Sequence, residues 1–209
     1  SCGNFLSVTC LDNNHTVKIY EWKSGTLRGS VPCGELKSLC IAFSLDNNVN
    51  GFRLLEGGLG HFNLLDCSSS DYISLKKGMF GLPKFPNVLC AVALPLPTEG
   101  GNEFLMGLSN GTLGVLARGE RKISNAPALG FKIVTALHVM KLKDATAEEP
   151  PVYKVIAAGD HGLIKVLDSE FGPLLEFSIH KSIETMSLMG NVRGIKSVCV
   201  DHLQRKILF

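Results

Sequence analysis

The chain has 209 residues, 45% hydrophobic and 19% charged, with a formal net charge of +2 at pH 7. That composition is ordinary for a globular protein with a real apolar core. No run approaches the roughly 18 apolar residues that span a bilayer, and so small a charge does not by itself indicate nucleic-acid binding.

The opening residues, SCGNFLSVTC, have no charged start and do not form a signal peptide. The chain lacks an initial Met and enters a strand almost at once, so it is expected to be a piece of a longer protein. Its seven cysteines are Cys2, Cys10, Cys33, Cys40, Cys67, Cys90 and Cys199, an odd number with no CxxC pair. Cys10, Cys40, Cys90 and Cys199 lie inside apolar, strand-like runs, which points to reduced thiols acting as small hydrophobes in an intracellular protein. Structural zinc or a disulfide framework would require tighter spacing.

In chain order, short Val-, Ile-, Leu- and Phe-rich segments alternate with Gly, Pro or Asn/Asp turns, the signature of an all-β chain. The first run, FLSVTC, leads through the turn LDNNH into TVKIYEW and then TLRGSV. LKSLCIAFS follows, then FRLLEG, the turn unit GLGHFNLLD and YISLKK. The next series is NVLCAVALP, FLMGLS, SNGTLGVLA and RKISNA, and after it IVTALHVMK, YKVIAAG, GDHGLIKVLD and PLLEFSI. IKSVCVDH and the terminal KILF begin a further unit.

Aligning Val17, Phe62, Leu113 and Ile164 also aligns Ile19, Leu64, Val115 and Val166, so the unit recurs every 45 to 51 residues. That period is the one expected of four-stranded propeller blades. A lone four-stranded sheet exposes two faces, and only stacking on its neighbours buries both. The expected fold is therefore an all-β propeller segment of about four to five blades, one domain over residues 1–209. The blade units fall near 1–35, 36–86, 87–132 and 133–190, with a partial blade at 191–209. An incomplete propeller is favoured over a small ring closed by IKSVCVDH pairing beside FLSVTC. Residues 144–151, DATAEEPP, are expected to form a polar surface loop.

His15, His61 and His161 occupy related turns, with Asp12 or Asp160 nearby. Repeats distribute such turns around a ring, so these side chains are expected to hold local backbone groups and not to converge on a metal. EGGLG and KKGMFG match no phosphate-binding fingerprint, and their glycines are read as turn residues. No nucleophile with its base is recognisable. The chain is thus expected to be non-enzymatic, with no catalytic residues, cofactor or metal. Basic residues gather at Lys76, Lys77 and Lys84, at Arg118, Arg121 and Lys122, and at Arg193 and Lys196, all at strand ends or loops. They form either a solvated rim or a docking surface for an acidic protein. No aromatic side chains are interleaved with them, which disfavours single-stranded nucleic acid.

The unit FLSVTCLDNNHTVKIYEWKSGTL resembles a WD40 repeat, with Glu21-Trp22 and later Leu167-Asp168 where the Trp-Asp pair often falls. More narrowly, the chain resembles the echinoderm microtubule-associated protein-like (EMAP-like) family. The residues that carry the likeness are the LDNNH turn and its strand, LKKGMFG leading into NVLCAVAL, AAGDHGLIKVLDSEFGPLLEFSI and IKSVCVDHLQRKILF. Leu167 departs from the family pattern by replacing one Trp, and Leu116-Ala117 stands where another pair would be.

The resemblance implies part of a first WD40-type propeller in a cytoplasmic, cytoskeletal scaffold whose partner is tubulin or microtubules. It also implies that oligomerisation belongs to family regions outside these residues. Lys76, Lys77, Lys84, Arg118, Arg121 and Lys122 are the candidate contacts, with no membrane or nucleic acid involved. The alternative is a general WD40 scaffold module in a ciliary or signalling complex.

Overall fold

Each apolar run between turn signals becomes a strand, and each strand pairs antiparallel with a sequence neighbour. The computed structural model describes residues 4–45, 52–67, 72–81, 85–95, 101–125, 129–143, 149–178, 195–200 and 207–208. Most of the 144–151 loop therefore lies outside the described residues.

The first sheet contains β1 (Phe5–Thr9), β2 (Val17–Glu21) and β3 (Thr26–Val31) in that order. The second is formed by β4 (Ser38–Phe43), β5 (Phe52–Gly58), β6 (His61–Cys67) and β7 (Ser74–Lys77). The third has β8 (Val88–Ala93), β9 (Asn102–Leu108), β10 (Leu113–Ala117) and β11 (Ser124–Asn125). The fourth has β12 (Val134–Lys143), β13 (Val152–Gly159), β14 (Leu163–Leu167) and β15 (Pro173–Ser178). A short pair, β16 (Cys199–Val200) with β17 (Ile207–Leu208), follows. The all-β blade architecture read from the repeat is what forms. Because β16 pairs with β17 and not with β1, the array is open among the described residues and the small-ring alternative is not realised.

Strand alternation distributes the core between sheets. Successive side chains point to opposite faces, so Leu54 and Leu65 pack with Val17 and Ile19 of the first sheet. Leu55 and Leu64 point the other way and join Val88, Phe104 and Met106 of the third. Leu105 and Val115 then meet Val155 and Ala157 of the fourth. Ile156, Ala158, Ile164 and Val166 pack against Ile195 and Val198. Fully burying such a side chain contributes about 1.5–3 kcal/mol, and an isolated sheet would forfeit one whole face. The outer strands β3, β7 and β15 are largely exposed, which explains their Arg, Lys and Ser content.

The first strand of each complete sheet carries a register shift in the same place: between Ser38 and Cys40, between Val88 and Cys90, and between Val134 and Ala136. Two of these shifts set a thiol between blades. Cys40 Sγ lies 3.9 Å from the Val88 carbonyl, and Cys90 Sγ lies 3.8 Å from that of Val134. Burial pushes the Cys90 thiol up to about 12 and raises that of Cys40 further, so both stay protonated and behave as packing groups. Space for each sulfur comes from a glycine across the ladder, Gly57 opposite Cys40 and Gly107 opposite Cys90. The EGGLG glycines are thus not all turn residues, since Gly57 and Gly58 lie within β5.

A Cβ at Gly107 would sit 2.5 Å from Cys90 Sγ and 2.8 Å from Val134 Cγ1. Gly107→Ala is therefore expected to destabilise the fold by about 1–3 kcal/mol through overpacking, read as a fall in Tm. An unchanged Tm would show that the third and fourth sheets separate freely enough to admit a methyl.

Candidate interaction surface

The outer edge strand β7 ends in two lysines, and period-two alternation separates them. Lys76 lies across from Leu64, on the face turned to the third sheet, whereas Lys77 lies across from Asn63, on the face turned to the first. Beyond β7 the chain meets the edge of the third sheet in a parallel bridge between Met79 and Lys122. The Met79 N–H donates to the Arg121 carbonyl at 2.7 Å, and the Ile123 N–H donates to the Met79 carbonyl at 3.0 Å. Two basic groups remote in sequence are thereby joined along one seam. Lys76, Lys77, Arg118, Arg121 and Lys122 are all exposed, and Lys84 lies outside the described residues.

Carboxylates divide this seam. The ladder between β9 and β10 pairs Leu116 with Phe104 and then Ala117 with Asn102, leaving Glu103 as the extra residue of a bulge. Glu103 is fully buried, and its Oε2 accepts from Arg53 Nη1 at 2.5 Å across the gap between the second and third sheets. Arg53 Nε in turn lies 3.1 Å from Asp66 Oδ1, and Asp66 Oδ2 lies 3.7 Å from Lys76 Nζ. Burial raises the Glu103 carboxyl above the usual range, while Ser44, Arg53 and Arg118 pull it back. Lys76 and Arg118 thus stand beside acidic partners, whereas Lys77 forms no ion pair among the described residues.

A second polar group joins the first two sheets. Glu56 is fully buried on β5, and its carboxylate accepts from Asn63 Nδ2 at 2.8 Å and faces His61 Nε2 at 3.1 Å. Asn63 Nδ2 also donates to the Cys33 carbonyl, on the connector from the first sheet, at 3.1 Å. The hydrogen bond to the Glu56 carboxylate raises the His61 pKa above its ordinary value of 6.5 against the opposing effect of burial.

The other related turns use different means. His15 takes a left-handed conformation with φ of 44° while Asp12 Oδ1 accepts from the Thr16 N–H at 2.8 Å. Asp160 Oδ1 accepts from the N–H groups of Lys132 and Ile133 at 3.0 and 3.2 Å, tying a connector to the fourth sheet. Among the described residues, no three His, Cys, Asp or Glu side chains gather closely enough to hold a metal ion.

Over the same end of the second sheet lies a cleft of about 430 Å³ between two connectors. Cys33 to Leu36 form one wall, Phe80 and Phe85 the other, and Phe62, His61 and Asn63 the floor, with Lys77 at one side. The Phe80 and Phe85 rings are stacked at a tilt, 5.8 Å apart, and Phe85 is 66% exposed. Gly78 keeps this corner tight, because a Cβ there would enter the Phe62 ring.

Among solved structures, the chain is similar to the β-propeller domain of Cps50 (Swd1) from Myceliophteria thermophila. The TM-score is 0.61 at 13% identity, over 99% of this chain and 58% of that one. The fold is a β-propeller. This chain spans somewhat over half the length of that neighbour, and the likeness concerns architecture alone. No protein-family profile matches the sequence, and no curated protein is similar to it.

Sequence reasoning missed Arg53, Glu56, Asn63 and Glu103, the polar residues that couple the sheets. The available signal was a charge inside a central strand otherwise apolar on both faces, as in FRLLEG and NEFLMG.

Arg53→Ala should leave Glu103 buried without the cation that bonds it, at a cost of about 3–5 kcal/mol. Adding Glu103→Gln should recover most of that loss in denaturant unfolding. Equal stability of the single and double variants would show that the pair is uncoupled. For His61, a folded pKa above the unfolded value means that stabilisation is fully present below pH 6.5 and is lost as pH rises through the raised pKa. The stability advantage of the wild type over His61→Gln should therefore shrink as pH rises above 6.5 and through the raised pKa. A constant difference would assign His61 a packing role only.

Proposed function

We propose that this chain is a non-enzymatic interaction scaffold of the EMAP-like type, acting in the cytoplasm on the cytoskeleton and contacting tubulin through the seam between its second and third blades. The reading is carried by the Met79–Lys122 bridge, which sets the exposed Arg121 and Lys122 against the chain leaving β7, two residues beyond the exposed Lys77. Clustered cations on a rigid rim steer and orient an acidic partner, and such attraction weakens as salt screens it. The scaffold needs no moving part and no cofactor: the stacked blades hold the rim, and the rim presents charge. Lys84 remains a proposed contact from sequence. Lys76 and Arg118 contribute less, because Asp66 and Glu103 lie beside them.

Co-sedimentation of the full protein with polymerised tubulin tests this reading. Binding is expected at low ionic strength, with loss on combining Lys77→Glu, Arg121→Glu and Lys122→Glu. Arg118→Glu should have a smaller effect. Failure to pellet at low salt, or pelleting indifferent to the triple reversal, would overturn the tubulin assignment and leave a propeller scaffold for a different partner.

A further inference from the structure

We infer that the cleft over the second blade is a docking site for a linear peptide segment bearing one aromatic or branched apolar anchor with an acidic residue next to it. This goes beyond the seam reading, although Lys77 serves both.

Several observations select that occupant. The cleft volume of about 430 Å³ falls in the range of ligand-holding pockets and accommodates a large side chain with its flanking backbone. Its walls carry large apolar side chains that stay mostly exposed. Phe85 is 66% exposed and Leu36 is 54% exposed, although the neighbouring Phe62 and Phe80 are buried. An apolar anchor entering between Phe85 and Leu36 would cover both, and offset or edge-on aromatic contacts there add to the area buried. Gly34 and Gly60 also line the cleft, and a Cβ at either would meet nothing closer than 3.9 Å, so an extended backbone can approach there.

Charge then sets the direction of the peptide. Lys77 lines one side and has no ion pair among the described residues, while Glu35 stands on the wall formed by the first connector. Among the described residues that line the cleft, the other ionisable groups are His61, which is engaged with the buried Glu56, and the Cys33 thiol, which burial keeps protonated. An acidic residue beside the anchor is therefore attracted to Lys77 and repelled from Glu35. The same pair disfavours a basic residue near Lys77, so the site discriminates between sequences as well as attracting one. The hydrogen bonds of Asn63 to Glu56 and to the Cys33 carbonyl hold the Cys33–Leu36 wall against the second sheet before any peptide arrives.

The test is fluorescence anisotropy of the full protein with a labelled short peptide containing one Phe followed by Asp and Glu. Two control peptides replace Phe by Ala, or the acids by their amides. Saturable binding of the first peptide is expected, weakened about tenfold or more in each control. Phe85→Ser and Lys77→Glu should weaken binding similarly, and Glu35→Lys should strengthen it. Both Phe85 and Glu35 are exposed and lie outside the seam, so circular dichroism should show these variants folded. Arg121→Glu should leave peptide binding unchanged, which separates this site from tubulin pelleting.

No saturation up to about 1 mM would overturn the proposal, as would equal weakening by Arg121→Glu, which signifies general charge attraction. Self-association of the protein alone that Phe85→Ser abolishes would assign the cleft to a second copy of the chain, and that also overturns it.

Discussion

Every complete sheet in this protein has two apolar faces, and neither can be left to water. That constraint governs the rest of the structure. Leu54 and Leu55 are adjacent in sequence yet belong to different cores, because alternation sends one to the first sheet and the other to the third. The same division recurs at Leu105 and Met106, and at Ile156 and Ala157. Each blade is therefore held by its neighbours more than by itself. The repeated register shift in the first strands, and the Cys–Gly pairs beside two of them, fit adjacent blades closely together.

Two fully buried carboxylates stand where hydrogen bonds cross between sheets or to a neighbouring connector. Glu103 faces Arg53 because a bulge turns it out of its strand's normal alternation. Glu56 is held by Asn63 and His61 and, through Asn63, reaches the preceding connector. Such pairs supply less net stability than leucine burial, since desolvation offsets most of the attraction. Their effect is on register: each fixes one blade against the next at a single height, which dispersive packing of aliphatic side chains does poorly.

The surface follows from the same alternation. Consecutive lysines on β7 face different blades, so one sits in an ionic chain with Asp66 while the other borders an aromatic cleft. A charge cluster that looks uniform in one dimension becomes two environments in three. The rigid stacking beneath them means that loops, connectors and edge strands are presented in a fixed arrangement.

By itself, the sequence determined the strand content, the order of the units and the polarity of inner and outer strands. These depend on local alternation and turn residues, which a one-dimensional pattern records faithfully. It also placed His15 as a turn residue, because its neighbours Asp12 to Thr16 already form a self-contained hydrogen-bonded loop. Tertiary structure alone decided that Gly57, Gly78 and Gly107 are close-contact positions, that Glu103 meets Arg53, and that Met79 bridges to Lys122. It alone revealed the cleft beneath Phe85. Each of these joins residues from different strands or blades, and the distance between them is set by how the sheets stack and not by their spacing along the chain.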